Sequence, residues 1–301
     1  MDNVYHIPAM LNETIAGLNI QPDGIYVDVT LGGGGHSRAI LQHLSPKGKL
    51  YSLDQDLDAI QNQQNTQKNW QLIHTNFRYL ANFMDYYGIT QINGLLADLG
   101  VSFHHFDEAQ RGFCFRFNGP LDMRMNQQAG QTAADITNTY TEEDLARILY
   151  LYGELKNAKQ LAHKIITARP IVTTWDLLKA ITGSTSIDLD PFRKKELTCV
   201  FQALRIEVND ELGALRDMLV AARDLLASGG RIAILTYHSL EDRIVKNFLR
   251  SGNLEGTIEK DFYGNILTPF TLIEKGLTAS EQEVQQNPRA RSAKLRVAEK
   301  R

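Results

Sequence analysis

The sequence predicts an α/β fold: a mainly parallel sheet covered by helices on both faces, with an antiparallel edge hairpin and an inserted helical domain. Three observations carry this expectation. Apolar runs at 25–31, 49–54, 71–74 and 94–100 alternate with stretches of helical periodicity, as in successive βαβ units. The alternation then stops, and residues 106–205 carry helical patterns without a strand. It resumes at 231–237, and the strand-like segments 256–262 and 293–298 suit antiparallel pairing at the sheet edge. The expected division is an α/β domain built from 1–105 and 206–301, interrupted by a mainly helical domain at 106–205.

Each element has a local reason. Pro8 suits the first turn of a helix over 8–17, with Gly17 at its end. Residues 25–31 run into Gly32-Gly33-Gly34-Gly35, and a helix opens at Ser37 and stops before Pro46. The next strand, 49–54, ends on Asp54. Helices are expected over 56–64 and 76–87, the second with Phe77, Leu80, Phe83 and Met84 at helical spacing. In the insertion, Thr141 with Asp144 and Thr173 with Asp176 have capping-box spacing. One long helical region is expected from Pro191 to about Ala227, ended by Ser228-Gly229-Gly230. Ser239 and Asp242 are expected to cap the helix after the strand at 231–237.

The chain has 301 residues, 43% hydrophobic and 22% charged, the proportions of a soluble globular protein. No apolar run is long enough to span a bilayer and the first residues are polar, so a cytoplasmic protein without membrane segment or signal peptide is expected. Cys114 and Cys199 have no metal-ligand spacing, and no metal is expected. The net charge of −3 does not advertise a nucleic-acid binder. Yet residues 287–301 carry Arg289, Arg291, Lys294, Arg296, Lys300 and Arg301 against the single acid Glu299. Such a patch suits a phosphate backbone, although a charge run is more often a solvated face.

The glycine turn after 25–31 brings backbone close to whatever lies over the strand end, because no Cβ intervenes. The helix that follows points its free N–H groups at the same place. Asp54, nineteen residues beyond Gly35, stands where a carboxylate accepts hydrogen bonds from a ribose diol. Ligands of such sheets lie at the C-terminal strand ends, which gathers residues 32–36, Asp54, Phe77 and Asp98 around one crevice. A nucleoside cofactor follows; glycines placed only for tight packing are the plainer alternative. A nicotinamide-dependent oxidoreductase would share the turn and Asp54, but the helical insertion and the edge hairpin do not suit it. A non-catalytic RNA-binding factor on the same fold also satisfies the pattern.

Longer segments add a resemblance. They are Val27-Asp28-Val29-Thr30-Leu31-Gly32-Gly33-Gly34-Gly35-His36-Ser37, Asp98-Leu99-Gly100-Val101-Ser102, Arg111-Gly112-Phe113, Gly119-Pro120-Leu121-Asp122-Met123-Arg124-Met125, Phe201-Gln202-Ala203-Leu204-Arg205-Ile206-Glu207-Val208-Asn209, His238-Ser239-Leu240-Glu241-Asp242-Arg243 and Asn287-Pro288-Arg289-Ala290-Arg291. On these the chain resembles, nearly end to end, the bacterial small-subunit ribosomal RNA (cytosine-N4)-methyltransferases of the MraW or RsmH type. The resemblance implies a class I, Rossmann-like methyltransferase fold with S-adenosylmethionine as cofactor. It implies methylation of a cytosine N4 amine in 16S ribosomal RNA, with the small ribosomal subunit as partner and a homodimer left open. Carried over residue by residue, it implies cofactor contacts at Gly34, Gly35, His36, Asp54, Phe77 and Asp98. Where the family reads Ser-Ser-Pro-Gln, this chain reads Ser102-Phe103-His104-His105, so His105 takes the place of a cofactor-contacting glutamine.

Many amino-methyltransferases carry an Asp/Asn/Ser-Pro-Pro-aromatic tetrad after the fourth strand; residues 98–102 replace it here and leave Asp98 and His238 as the candidate catalytic residues. Candidate RNA contacts are Arg111, Arg116, Arg124, Arg205, Asn209, Arg289 and Arg291. Each has a plainer reading beside it. Arg111, Arg116 and Arg124 have Asp107, Glu108 and Asp122 within pairing distance in sequence. Phe113, Phe115 and Phe117 could stack on a base, but they alternate as one buried face does. Arg205 and Asn209, one helical turn apart, would also serve a buried network.

Overall fold

The structure, a computed structural model, describes residues 8–63, 67–101, 103–128, 130–264 and 266–301. The side chains of Phe103, His104 and Arg289, the last an expected RNA contact, lie outside the described residues. The chain divides into two compact units, Met1–Gly100 with Leu212–Arg301, and Val101–Glu211.

The first unit begins with α1 (Leu11–Leu18) and continues as β1 (Ile25–Asp28), α2 (Gly35–His43), β2 (Lys49–Asp54), α3 (Leu57–Gln61), β3 (Trp70–His74), α4 (Leu80–Tyr86) and β4 (Ile92–Asp98). Residues 103–209 contribute α5 (Phe103–Asp107), α6 (Ala133–Thr139), α7 (Glu142–Leu151), α8 (Ala158–Thr167), α9 (Thr174–Thr182) and α10 (Pro191–Asn209). Then follow α11 (Glu211–Leu225), β5 (Leu226–Thr236), α12 (Ser239–Ser251), β6 (Glu259–Lys260), β7 (Ile266–Leu267), β8 (Phe270–Thr278), α13 (Glu281–Gln286) and β9 (Lys294–Lys300). Among the described residues no helix is long and apolar enough to cross a membrane.

Seven strands form one sheet in the order β3-β2-β1-β4-β5-β9-β8. The first five are parallel, and β9 runs antiparallel to both β5 and β8. The central strands are apolar on both sides, as burial between two helical layers demands: Val27, Leu95, Leu96, Ile232 and Ile234 are inaccessible to solvent. The edge hairpin exists, but its outer strand is Phe270–Thr278 and not 256–262. That segment supplies only Glu259–Lys260, half of a separate two-stranded hairpin with Ile266–Leu267. Along β8, Phe270 is buried and Leu272 and Glu274 are half buried against exposed neighbours, with bulges that disguise the period in sequence.

Several boundaries move for local reasons. Met10 adopts φ +49, so α1 starts at Leu11 and Pro8 stays outside it. Asn76 caps a 3-10 turn, Phe77–Tyr79, by accepting from the Arg78 N–H at 3.0 Å, and only then does α4 begin. Asp210, φ +45, splits the expected long helix into α10 and α11.

The second unit has its own apolar core, drawn from Phe113, Leu121, Ile136, Ile148, Leu161, Leu178 and Leu204 among others. Its helices start where the sequence asks. Thr132 with Asp135 and Thr173 with Asp176 form complete capping boxes, and Thr141 accepts from the Asp144 N–H. Asp190 caps α10 by accepting from the N–H groups of Phe192 and Arg193, both at 3.0 Å, with Pro191 in the first turn.

Candidate active site at the strand ends

Because β2, β1, β4 and β5 are adjacent and parallel, Asp54, Asp28, Asp98 and Thr236 end a single row. From Asp28 the chain turns through Gly32, φ +47, and Gly34, φ +74, into α2. A Cβ at Gly34 would fall 2.4 Å from Gln63 Oε1. At Gly32 a Cβ would meet nothing nearer than 4.0 Å, so there the left-handed backbone, not crowding, asks for glycine.

Asp54 closes this turn from the neighbouring strand. Its Oδ2 accepts from the Gly32 N–H at 2.8 Å and its Oδ1 from the Asp56 N–H at 2.9 Å. Desolvation outweighs both donors and pushes the carboxyl up to about 6. Each oxygen keeps a second lone pair for a further donor.

A buried chain of hydrogen bonds supports the turn from below. Trp70 Nε1 donates to Ser52 Oγ at 2.8 Å, Ser52 Oγ lies 2.7 Å from Ser37 Oγ, and Ser37 donates to Asp28 Oδ2 at 2.6 Å. Since Ser37 spends its proton on Asp28, Ser52 donates to Ser37, and the whole chain points at one carboxylate. Asp28 is fully buried, and burial pushes its carboxyl up. Thr30 Oγ1 accepts from the Asp98 N–H at 2.6 Å, which ties the end of β4 to the turn.

Asp98 is flanked on both oxygens. The Tyr237 hydroxyl donates to Oδ1 at 2.6 Å, and His36 Nε2 lies 3.5 Å from Oδ2. Both ring nitrogens of His36 are buried without a hydrogen-bond partner. Burial alone would lower the His36 pKa, but Asp98 and Asp28 outweigh it and the pKa is raised. Phe77 opens the turn after β3 with its ring partly against the sheet core.

His238 is itself the cap of α12. Its Nδ1 accepts from the Glu241 N–H at 3.4 Å, and its own N–H donates to Glu241 Oε2 at 3.3 Å. The expected pair, Ser239 and Asp242, is one residue out of register. Asp242 is instead held by Arg296 at 2.7 Å and Lys294 at 3.2 Å, which keep its carboxyl low against desolvation. That removes two cations from the basic segment 287–301, and Lys300 donates to the Arg223 carbonyl at 2.9 Å. Arg291 remains exposed.

In the second unit the polar residues singled out by sequence hold backbone. Arg111 is buried and donates to the carbonyls of Arg124 and Met125 at 3.2 and 3.0 Å. Asn209 accepts from the Met125 N–H and donates to the Met123 carbonyl, both at 2.8 Å. Arg124 pairs with Asp122 at 2.7 Å, Arg116 with Asp107 at 3.2 Å and Arg205 with Glu211 at 2.7 Å. Phe113 and Phe115 are core, whereas Phe117 is exposed. His105 is buried with its ring stacked on Phe113, centroids 4.7 Å apart. Sequence reasoning passed over Thr30, Ser37 and Tyr237. Tyr237 was findable by the logic that found Asp98, since it follows a strand directly and precedes His238.

A parallel sheet with an antiparallel β9–β8 edge, a glycine turn after β1 and carboxylates ending β2 and β4 define a class I methyltransferase. The chain belongs to the MraW methylase family, whose profile matches residues 3–301. It is 56% identical over 302 residues to the ribosomal RNA small subunit methyltransferase H of Phocaeicola vulgatus, covering 99% of this chain and 98% of that one. The proteins of the same name from Parabacteroides distasonis and Porphyromonas gingivalis are 56% and 55% identical, again across 99% of this chain and 98% of theirs.

Proposed function

We propose that this protein transfers a methyl group from S-adenosylmethionine to the exocyclic N4 amine of a cytosine in 16S ribosomal RNA, within the small ribosomal subunit. The observation that carries the reading is the row of strand ends, where the glycine turn, Asp54 and the His36–Asp98 pair stand together. The residues fit the cofactor: His36 Nδ1 is buried without a hydrogen-bond partner, and Asp54 has lone pairs to spare for a ribose. When bound, S-adenosylmethionine supplies a methyl group activated on a sulfonium. Asp54 receives the ribose hydroxyls, and Gly34, Gly35 and the first turn of α2 give backbone access. Phe77, His36 and Asp98 would complete the cofactor contacts.

The cytosine amine is a weak nucleophile, because its lone pair is delocalised into the ring. Acceptors for its hydrogens favour the reactive form and take up the proton. Asp98 and His238 are the candidates. Asp98 is the better one, because His238 Nδ1 already accepts from Glu241. Phosphate contacts fall to the exposed arginines, Arg116 and Arg291, ahead of the buried Arg111.

Mass mapping of 16S ribosomal RNA from cells with and without the protein tests the reading. The map should lose one methyl group from a single cytosine, and the purified protein should restore it on small subunits or naked RNA with S-adenosylmethionine. An unchanged map, or binding of NAD in preference to S-adenosylmethionine, would overturn it.

A further inference from the structure

We propose that Tyr237 is a positioning residue of the methyl-transfer site: its hydroxyl holds the Asp98 carboxylate in the orientation that cofactor binding requires. This rests on the reading that Asp98 contacts the cofactor.

Asp98 has its backbone fixed but its side chain poorly held by other means. The Asp98 N–H donates to Thr30 Oγ1 at 2.6 Å, and the Leu99 N–H donates to the Leu235 carbonyl at 3.0 Å. The carboxylate itself has His36 at 3.5 Å, too far for a good hydrogen bond, and Tyr237 at 2.6 Å, the length of a charge-assisted one. Removing the hydroxyl therefore frees the last torsions of Asp98.

Three features show that Tyr237 is built into this place. The Tyr237 N–H donates to Glu241 Oε2 at 3.0 Å, the same carboxylate that completes the α12 cap. Its ring lies over Gly100, which has φ +110; a Cβ there would come 3.3 Å from Tyr237 Cδ2. A glycine just past β4 thus both permits the backbone turn and makes room for the aromatic ring. Finally, burial, with Asp98 and Glu241 adding negative charge, raises the Tyr237 pKa well above 10, so the phenol stays a donor at working pH. Backbone, ring and hydroxyl are each constrained by a separate partner, and the hydroxyl is aimed at the strand-end carboxylate.

Tyr237→Phe keeps the ring over Gly100 and removes only the hydroxyl. The measurement is equilibrium binding of S-adenosylmethionine and S-adenosylhomocysteine by calorimetry, on the full chain, for wild type, Tyr237→Phe, Asp98→Ala and the double variant. Cooperative thermal unfolding of each checks its fold. Tyr237→Phe should weaken both ligands about tenfold, and Asp98→Ala at least as much. The double variant should bind no more weakly than Asp98→Ala alone, because the phenol then has no carboxylate to hold. A hydroxyl that served stability alone would lower the unfolding temperature and leave affinity unchanged. Unchanged affinity in Tyr237→Phe beside a weakened Asp98→Ala would overturn the proposal, as would losses that add in the double variant. Wild-type affinity in Asp98→Ala would remove Asp98 from the cofactor site, and the role of Tyr237 with it.

Discussion

In residues 101–211 the buried Arg111 and the half-buried Asn209 donate to carbonyls of the 123–125 segment, and these bonds shape a loop. In the strand-end row, backbone N–H groups orient Asp54 and the Tyr237 hydroxyl orients Asp98, yet Asp54 keeps lone pairs for a further donor and His36 Nδ1 is buried without a hydrogen-bond partner. What separates them is that the first pair spends its hydrogen bonds on the backbone of a loop, whereas the strand-end carboxylates keep acceptors for a further donor.

Substitutions can break that contrast. The largest effect is expected for Arg111→Met, which strands two carbonyls in a buried setting. It should cost about 3 kcal/mol in urea unfolding and leave S-adenosylmethionine affinity intact. An Arg111→Met protein of native stability that lost RNA binding would move Arg111 into the substrate site. Next comes Asp54→Ala. Loss of a charged acceptor for the ribose should weaken S-adenosylmethionine by about tenfold or more, and an unaltered dissociation constant would place the ribose elsewhere.

The raised carboxyl of Asp54, at about 6, sharpens the same point through pH. The native state holds this proton more tightly than the unfolded chain, whose carboxyl titrates near 4. Its contribution to stability is therefore greatest below about pH 4 and is lost as pH rises through about 6. Cofactor affinity should move the other way, rising between about pH 5 and pH 7 as the acceptor ionises, by at most tenfold per pH unit. A calorimetric titration series should show the rise in wild type and not in Asp54→Asn; a rise retained in Asp54→Asn would assign it to another group. The smallest effect is expected for Arg291→Ala. RNA affinity should fall only a few-fold, with the salt dependence of binding shallower by about one ion. An unchanged slope would make the exposed part of the 287–301 segment a solvated face.

Much of the fold is legible in the sequence because its signals are local. Capping pairs three residues apart, strand runs ended by acids and a four-glycine turn each act within a few neighbours, and Thr173 with Asp176 appear as expected. The wrong edge strand has a different cause. Residues 256–262 read as β by composition, but β8 gains its place by pairing along β9, and its two bulges break the period that a sequence window detects. His238 shows the same limit at the site: imidazole is not a common cap, and only the position of Glu241 selects it over Ser239.

By itself, then, the sequence determined the alternation of strands and helices up to β4, the glycine turn and the carboxylates that end β2 and β4, because backbone propensity and strand-end chemistry are carried by adjacent residues. Tertiary structure alone decided which polar residues are used up. That Lys294 and Arg296 serve Asp242, that Ser37 and Ser52 relay Trp70 to Asp28, and that Tyr237 holds Asp98 all depend on hydrogen bonds between residues 9 to 139 positions apart. Such bonds form only when the sheet brings distant strand ends side by side, and their directional geometry leaves no periodic trace in the chain.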